Sequence, residues 1–337
     1  MKILVTGGTG FLGSYLLRYL VKKGADIRAT RRTNSSMKLV ENIKNKVEWV
    51  EADVLDVISL EDAMEGIDCI YHCAAIVSFD PKEAEMLHLI NVEGTANVVN
   101  MALRTGVKRL LHVSSIAAIG RSKETPNVNE NIMFVRNPMN TKYAISKFQG
   151  EQEAWRGAAE GLEVVVVNPS VIIGSGFWDN GTNGFFHQIN NRLKFYPIGA
   201  TGFVDVRDVA KAMIQIMDSN ITDERYILNA ENIPYQTFLN WIAENLEQPK
   251  PSIKVTKFIQ ELAWRLAWIG SKLTGKKPFL TKESARSSGT TFRYENDKFL
   301  NEFPNFEFRS MRKTTHETAL QYKVDMKNGK DFNILPI

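Results

Sequence analysis

The sequence predicts an α/β fold: a doubly wound parallel sheet joined to a smaller, mostly helical, discontinuous region. Three observations carry this expectation. The chain opens on an apolar run, Ile3-Leu4-Val5, followed by glycines at 7, 10 and 13. Strand-like and helix-like segments then alternate as far as residue 168, the pattern of a parallel sheet covered on both faces. After Pro169 the alternation stops, and Gly, Asn and aromatic residues crowd 174–203.

Taken in order, short apolar runs predict strands at 2–6, 26–30, 47–51, 68–73, 109–114 and 163–168. Helical spacing predicts helices at 11–23, 35–43, 59–65, 83–105 and 141–160. The first is clearest: Leu16, Leu17, Leu20 and Val21 form one stripe, Arg18, Lys22 and Lys23 lie off it, and Gly24 ends it. Further on, a helix is expected near 183–193. Asp205 or Asp208 opens another at Val209–Met217, a last strand falls at Tyr226–Asn229, and 235–330 is mostly helical. Residues 1–170 with about 204–230 are therefore assigned to a cofactor-binding domain, and about 171–203 with 231–330 to a substrate region.

Composition excludes several classes. The 337 residues are 44% hydrophobic and 24% charged, with net charge +4, which argues for neither nucleic acid nor membrane. Cys69 and Cys73 fall in an apolar strand region and read as small buried hydrophobes, since their spacing fits neither zinc nor redox motifs. The five histidines form no metal-ligand pattern, so no metal is expected. Residues 258–273 are rich in Trp, Leu and Ile; a helix packed over the substrate pocket is preferred there to a membrane-surface helix. With the first strand at the start and no long apolar span, the expected compartment is the cytoplasm.

The glycine spacing after a strand describes a Rossmann-type dinucleotide cradle. Gly7 permits the tight turn, Gly10 offers bare backbone to a diphosphate, and Gly13 lets the helix approach closely. The helix N-terminus then points its free N–H groups at phosphate. About twenty residues on, where an acid would read a ribose 2′-hydroxyl, stand Arg31 and Arg32. An arginine there pairs with a 2′-phosphate, so NADP is expected over NAD.

Tyr143 and Lys147 are four apart on a predicted helix and share a face, with Cβ atoms about 5–6 Å apart. A neighbouring ammonium is expected to lower the phenol pKa and make Tyr143 a proton donor and acceptor. Tyr19 and Lys23 repeat the spacing on the first helix, where it reads as surface decoration. The 143–147 pair differs by following the strand whose end carries Ser114 and Ser115, and a serine there can orient a substrate carbonyl.

On these motifs the chain resembles the extended short-chain dehydrogenase/reductases, closest to the dihydroflavonol-reductase and cinnamoyl-CoA-reductase branch. The matching segments include Thr6–Gly13, Ala52–Asp56, His72–Ala75, Asn91–Thr95, Ser114-Ser115, Tyr143-x-x-x-Lys147, Asn168–Ser170 and Phe203–Asp208. The resemblance implies that Ser115 is the catalytic serine, because Gly120 follows it by five. It implies that Gly7, Thr9, Gly10, Phe11, Leu12 and Gly13 line the cofactor, and that Arg32 reads the 2′-phosphate with Arg31 beside it. Asp53, with Val54, is implied at the adenine, and Ala74 and Ala75 at the cofactor wall. Pro169, Ser170 and Val171 are implied near the nicotinamide. Lys147 is implied to bond the nicotinamide ribose, and Asn91 to join a proton relay.

Two departures narrow the reaction. No Asp-Glu follows Ser115, so sugar-nucleotide dehydration lacks its acid and base. Thr201-Gly202 stands where sugar-nucleotide epimerases carry a diphosphate-binding arginine, though Arg192, Lys194 and Arg207 are other candidate cations. Aromatics at 177, 178, 185, 186, 195 and 196 read as an apolar pocket, or as core. The expectation is an NADP(H)-dependent oxidoreductase interconverting a small-molecule carbonyl compound and its alcohol, monomeric or homodimeric. The alternatives are a nucleotide-sugar epimerase with tightly bound NAD and a non-catalytic cofactor sensor.

Overall fold

A computed structural model describes residues 1–121, 126–137, 140–179, 181–256, 288–329 and 332–337. The first half runs β1 (Lys2–Thr6), α1 (Phe11–Lys22), β2 (Asp26–Arg31), β3 (Glu48–Glu51), α2 (Val57–Met64) and β4 (Cys69–His72). It continues with α3 (Ala84–His88), α4 (Gly94–Thr105), β5 (Arg109–Val113), β6 (Asn127–Val128), α5 (Lys142–Ala159) and β7 (Glu163–Pro169). Then come β8 (Val171–Ile173), α6 (Gly184–Asn190), β9 (Phe195–Pro197), β10 (Ala200–Asp205), α7 (Val206–Asp218) and β11 (Glu224–Leu228). The described remainder holds β12 (Glu231–Pro234), α8 (Tyr235–Leu246), β13 (Ile253–Val255), β14 (Arg293–Tyr294), α9 (Asp297–Glu302) and α10 (Met311–Lys327).

Seven strands form one parallel sheet in the order β3-β2-β1-β4-β5-β7-β11. The period of two along a strand explains why its apolar runs are continuous. In β1, Ile3 and Val5 face the layer of α1 and α7, while Leu4 faces that of α2, α4 and α5. In β7, Val165 and Val167 join the first layer, and Val164 and Val166 the second. Both faces are dry, as a parallel sheet requires.

A second core lies beyond β7. The three-stranded sheet β12-β10-β8 packs with α6, α8 and α10 around Phe186, Phe203, Phe238 and Trp178. Asp205, not Asp208, caps α7: its carboxylate accepts the Arg207 N–H at 2.7 Å.

Three expectations change. The helix at 35–43 is a 3₁₀ segment at Lys38–Lys46, pinned by buried Leu39, Val40 and Ile43. The helix at 83–105 is broken by a π turn at Leu89–Glu93. The region 235–330, as far as it is described, also contributes short strands, because β13 and β14 pair with β9 and β6. Residues 258–273 lie outside the described residues. Among those described, no helix is long and apolar enough to cross a membrane.

Candidate active site

All strands of the large sheet run the same way, so their carboxyl ends share one edge, where α/β sheets bind ligands. The candidate residues follow those ends one by one. Gly7 follows β1, Arg31 ends β2, Asp53 follows β3, Ala74 follows β4, Ser115 follows β5, and Pro169 ends β7. Sequence order therefore becomes spatial adjacency through the topology alone.

The glycine turn is built for an anion. Gly7 sits at φ +69°, and a Cβ on it would lie 2.7 Å from the Ala74 nitrogen. A Cβ on Gly13 would lie 2.3 Å from the Gly7 carbonyl oxygen, so this glycine lets the helix close on the turn itself. Gly10 is exposed and caps α1 without a side-chain bond, leaving the first-turn N–H groups of Phe11 and Leu12 for a ligand. Thr9 lies partly exposed on the same turn.

Arg31 and Arg32 form no side-chain hydrogen bond or ion pair with the described residues, and Arg32 is exposed. Nearby, Glu51 is held by the Thr33 hydroxyl at 2.6 Å. Asp53 turns one oxygen to the Leu55 N–H at 3.0 Å, and Val54 is buried against Gly94. Ala74 is partly covered and Ala75 exposed. Ser170 is buried with an unpartnered hydroxyl, and Val171 beside it is partly exposed. An open glycine turn, free arginines and an orphaned hydroxyl along one sheet edge fit a dinucleotide.

Tyr143 and Lys147 enter from the first turns of α5, capped by the Thr141 hydroxyl on the Ala144 N–H at 3.0 Å. The Ser115 hydroxyl lies near enough to the Tyr143 phenol to oppose the upward pull of burial on it, and accepts the Ala117 N–H at 3.1 Å. Ser114, by contrast, is buried without a partner, so the structure brings Ser115 to the tyrosine. Gly120 permits this: a Cβ there would fall 1.9 Å from the Met133 carbonyl oxygen.

The expectation that Lys147 pulls the Tyr143 phenol down is corrected. Burial holds that phenol above its ordinary value, opposed by Ser115 and by the Arg121 charge. Lys147 donates instead to the Val113 carbonyl at 2.8 Å. Burial lowers its own pKa to about 8, with Glu151 and Cys73 opposing. Beneath it lie His72, bonded to Thr6 at 2.7 Å and Thr95 at 3.1 Å, and His112; burial keeps both neutral.

Asn91 sits in the π turn. Its amide exchanges bonds with the Ile76 backbone at 2.9 and 3.0 Å and donates to Ser146 at 3.0 Å. It thus clasps the loop after β4 to α5, with no bond to Lys147.

Other expectations move. Trp178 and Phe186 are fully buried core, with Phe185 and Tyr196 partly buried against the same cluster. Arg207 is committed to Asp205 at 2.5 Å and Glu317 at 2.6 Å. Tyr19 is not surface decoration: its ring packs on the core with its hydroxyl buried, and Lys23 pairs with Asp218. Cys69 and Cys73 are free thiols, which burial pushes up to about 11 and about 12. Among the described residues no His/Cys/Asp/Glu cluster fits a metal.

The spacing also missed residues that the fold brings to the site. Phe79 meets the Tyr143 ring edge-on at 5.8 Å, and Arg121 lies over Phe292 and Tyr294. No local motif marks them, because their partners come from distant segments.

Comparison with known proteins agrees with this geometry. Residues 3–229 match the model of the NAD dependent epimerase/dehydratase family. Sterol demethylase protein B of Methylococcus capsulatus is 33% identical over 259 residues, covering 76% of this chain and 77% of its own. A putative dihydroflavonol 4-reductase of Synechocystis is 30% identical over 309 residues, 88% of each chain. The crystal structure of gox2253 superposes with a TM-score of 0.81 at 26% identity, covering 98% of this chain and 99% of that one. With the sheet-edge site and the family match in agreement, the chain belongs to the NAD-dependent epimerase/dehydratase family and is an NAD(P)-binding enzyme.

Proposed function

We propose that the protein is an NADP(H)-dependent reductase of small-molecule ketones or aldehydes, running in reverse as an alcohol dehydrogenase. The observation that carries this is the Ser115 hydroxyl beside the Tyr143 phenol, with burial holding that phenol above its ordinary pKa. At neutral pH Tyr143 is then protonated, which is the form that delivers a proton to a reduced carbonyl oxygen. Ser115 orients that oxygen. Lys147, buried one turn further along α5, holds the cofactor ribose and carries positive charge below its pKa of about 8. The bound nicotinamide supplies or accepts the hydride.

The free arginines after β2 support NADP over NAD. The ion pairs of Arg207 speak against a nucleotide-sugar substrate, since that cation is already neutralised in the interior. Names such as dihydroflavonol 4-reductase among the relatives fit carbonyl reduction. Val77 and Met133, on loops flanking Phe79 and Gly120, are 63% and 81% exposed, which fits an apolar substrate at the rim.

The test follows NADPH oxidation with aromatic and medium-chain aldehydes and ketones beside UDP- and dTDP-sugars. Turnover is expected with the carbonyl compounds only. Stoichiometric NAD in the purified protein, with micromolar binding of a nucleotide sugar, would establish the epimerase instead.

A further inference from the structure

Arg121 lies six residues beyond Ser115 and is the residue whose surroundings the reading above does not use. Its guanidinium carbon lies over the rings of Phe292 and Tyr294, 5.5 and 5.8 Å from their centroids. Its Nε is buried and has no hydrogen-bond partner among the described residues. No carboxylate of the described residues pairs with it. Its backbone is fixed, because the Asn137 amide donates to the Arg121 carbonyl at 3.3 Å and Gly120 packs against Met133.

Its charge reaches the phenols of Tyr143, Tyr235 and Tyr294, lowering each against burial. Arg121 therefore lies over the Phe292 and Tyr294 rings within electrostatic reach of the proton donor. A guanidinium seated over two rings, with a buried N–H left over, is half of an anion site. The rings offer no acceptor in the plane of the guanidinium, and a planar carboxylate matches the geometry of its N–H donors. A buried polar group without a partner is costly, and such groups in a native fold call for a ligand or other cause.

We propose that Arg121 is a specificity-determining residue of the substrate site, and that the substrate carries a carboxylate in addition to the reacting carbonyl. This deepens the reductase reading and rests on it for the identity of the reacting group. The carboxylate docks on Arg121 while the carbonyl oxygen lies at Ser115 and Tyr143. The substrates are then oxo acids and hydroxy acids with apolar bodies.

The probes are 4-formylbenzoate and its methyl ester. Binding is measured calorimetrically on protein loaded with oxidised cofactor, where no hydride is available, and turnover is measured separately with NADPH. In the wild type the acid is expected to bind roughly 10- to 100-fold more tightly than the ester, the range of a charge-assisted bond. Arg121→Gln should abolish that preference, leave ester binding within about twofold, and leave NADPH affinity unchanged, since the contact is with the substrate alone. Arg121→Lys, which keeps the charge and loses the fork, should restore part of the preference.

Equal binding of acid and ester by the wild type overturns the inference, and needs no variant to fold. A preference that survives Arg121→Gln overturns it too, as does a loss of NADPH affinity without a loss of acid preference. If the acid preference is present but neither compound is reduced, the anion site stands and the reductase reading fails. If both are reduced with equal binding, the reductase reading stands and the anion site fails.

Discussion

Tyr143 and Tyr19 each precede a lysine by four residues, and only their surroundings separate them. Tyr143 meets the Ser115 hydroxyl and the Phe79 ring, whereas Tyr19 meets the core, with Lys211 over its ring at 5.9 Å. Tyr143→Phe is expected to cut kcat by about 100-fold or more while cofactor still binds, and Tyr19→Phe to leave kcat unchanged. Retention of most activity by Tyr143→Phe would remove it from the mechanism. Arg32→Ala should weaken NADPH by roughly 10- to 150-fold and barely touch NADH; equal affinity of the unmodified protein for the two would refute the 2′-phosphate contact. Lys147 gives a pH signature. Its folded pKa is about 8 against 10.5 in a free chain, so between those values the unfolded state binds more protons. Stability attributable to Lys147 should therefore rise across that interval, the cost of the buried ammonium being complete below about 8. Over the same interval kcat/KM for NADPH should fall as the ammonium is lost. Lys147→Met should flatten both profiles, and profiles unchanged by that substitution would show that another group titrates.

Which elements were legible from the sequence follows from how local their causes are. The glycine turn, the first helix and the apolar strands depend on residues within one window, so spacing reveals them. Ser115 was separable from Ser114 only by resemblance, through the spacing to Gly120, a position where a Cβ would meet the Met133 carbonyl oxygen at 1.9 Å. The π turn was not legible, because its cause is the helix packed against it. A Cβ on Gly150 of α5 would lie 2.2 Å from the Asn91 carbonyl oxygen, so α5 and the π turn are in backbone contact. Arg121 was silent for the same reason, its rings coming from β14 and the residue just before it. The aromatics at 178 and 186 misled because core and pocket draw on the same residue types. Gly150→Ala should force the two elements apart and cost about 1–3 kcal/mol, as overpacking does, seen as a lower urea midpoint. Because Tyr143 and Lys147 ride on α5, kcat should fall as well. A variant with native stability and turnover would show that the contact is not needed to place them.

Across the whole molecule, the last residues return to the first helix. The Leu335 N–H donates to the Tyr15 hydroxyl at 3.1 Å and to the Ser175 hydroxyl at 2.8 Å. Below that junction Asp205 accepts from Thr314 at 2.7 Å and pairs with Arg207, which reaches Glu317 on α10 at 2.6 Å. Asp205 is wholly buried and Arg207 nearly so, whereas Glu317 keeps 28% of its side chain exposed. A buried pair of this kind adds little over an apolar pair, yet removing one partner strands the other. Arg207→Ala should therefore destabilise the protein by about 3–5 kcal/mol, and Glu317→Gln by much less, since water still reaches Glu317. Urea titration measures both. At temperatures where Arg207→Ala remains folded, NADPH affinity should be near that of the wild type, because the glycine turn and the arginines after β2 are untouched. The opposite pattern, with stability retained and an anionic ligand lost, would place Arg207 in a binding site and reopen the case for a nucleotide-sugar substrate.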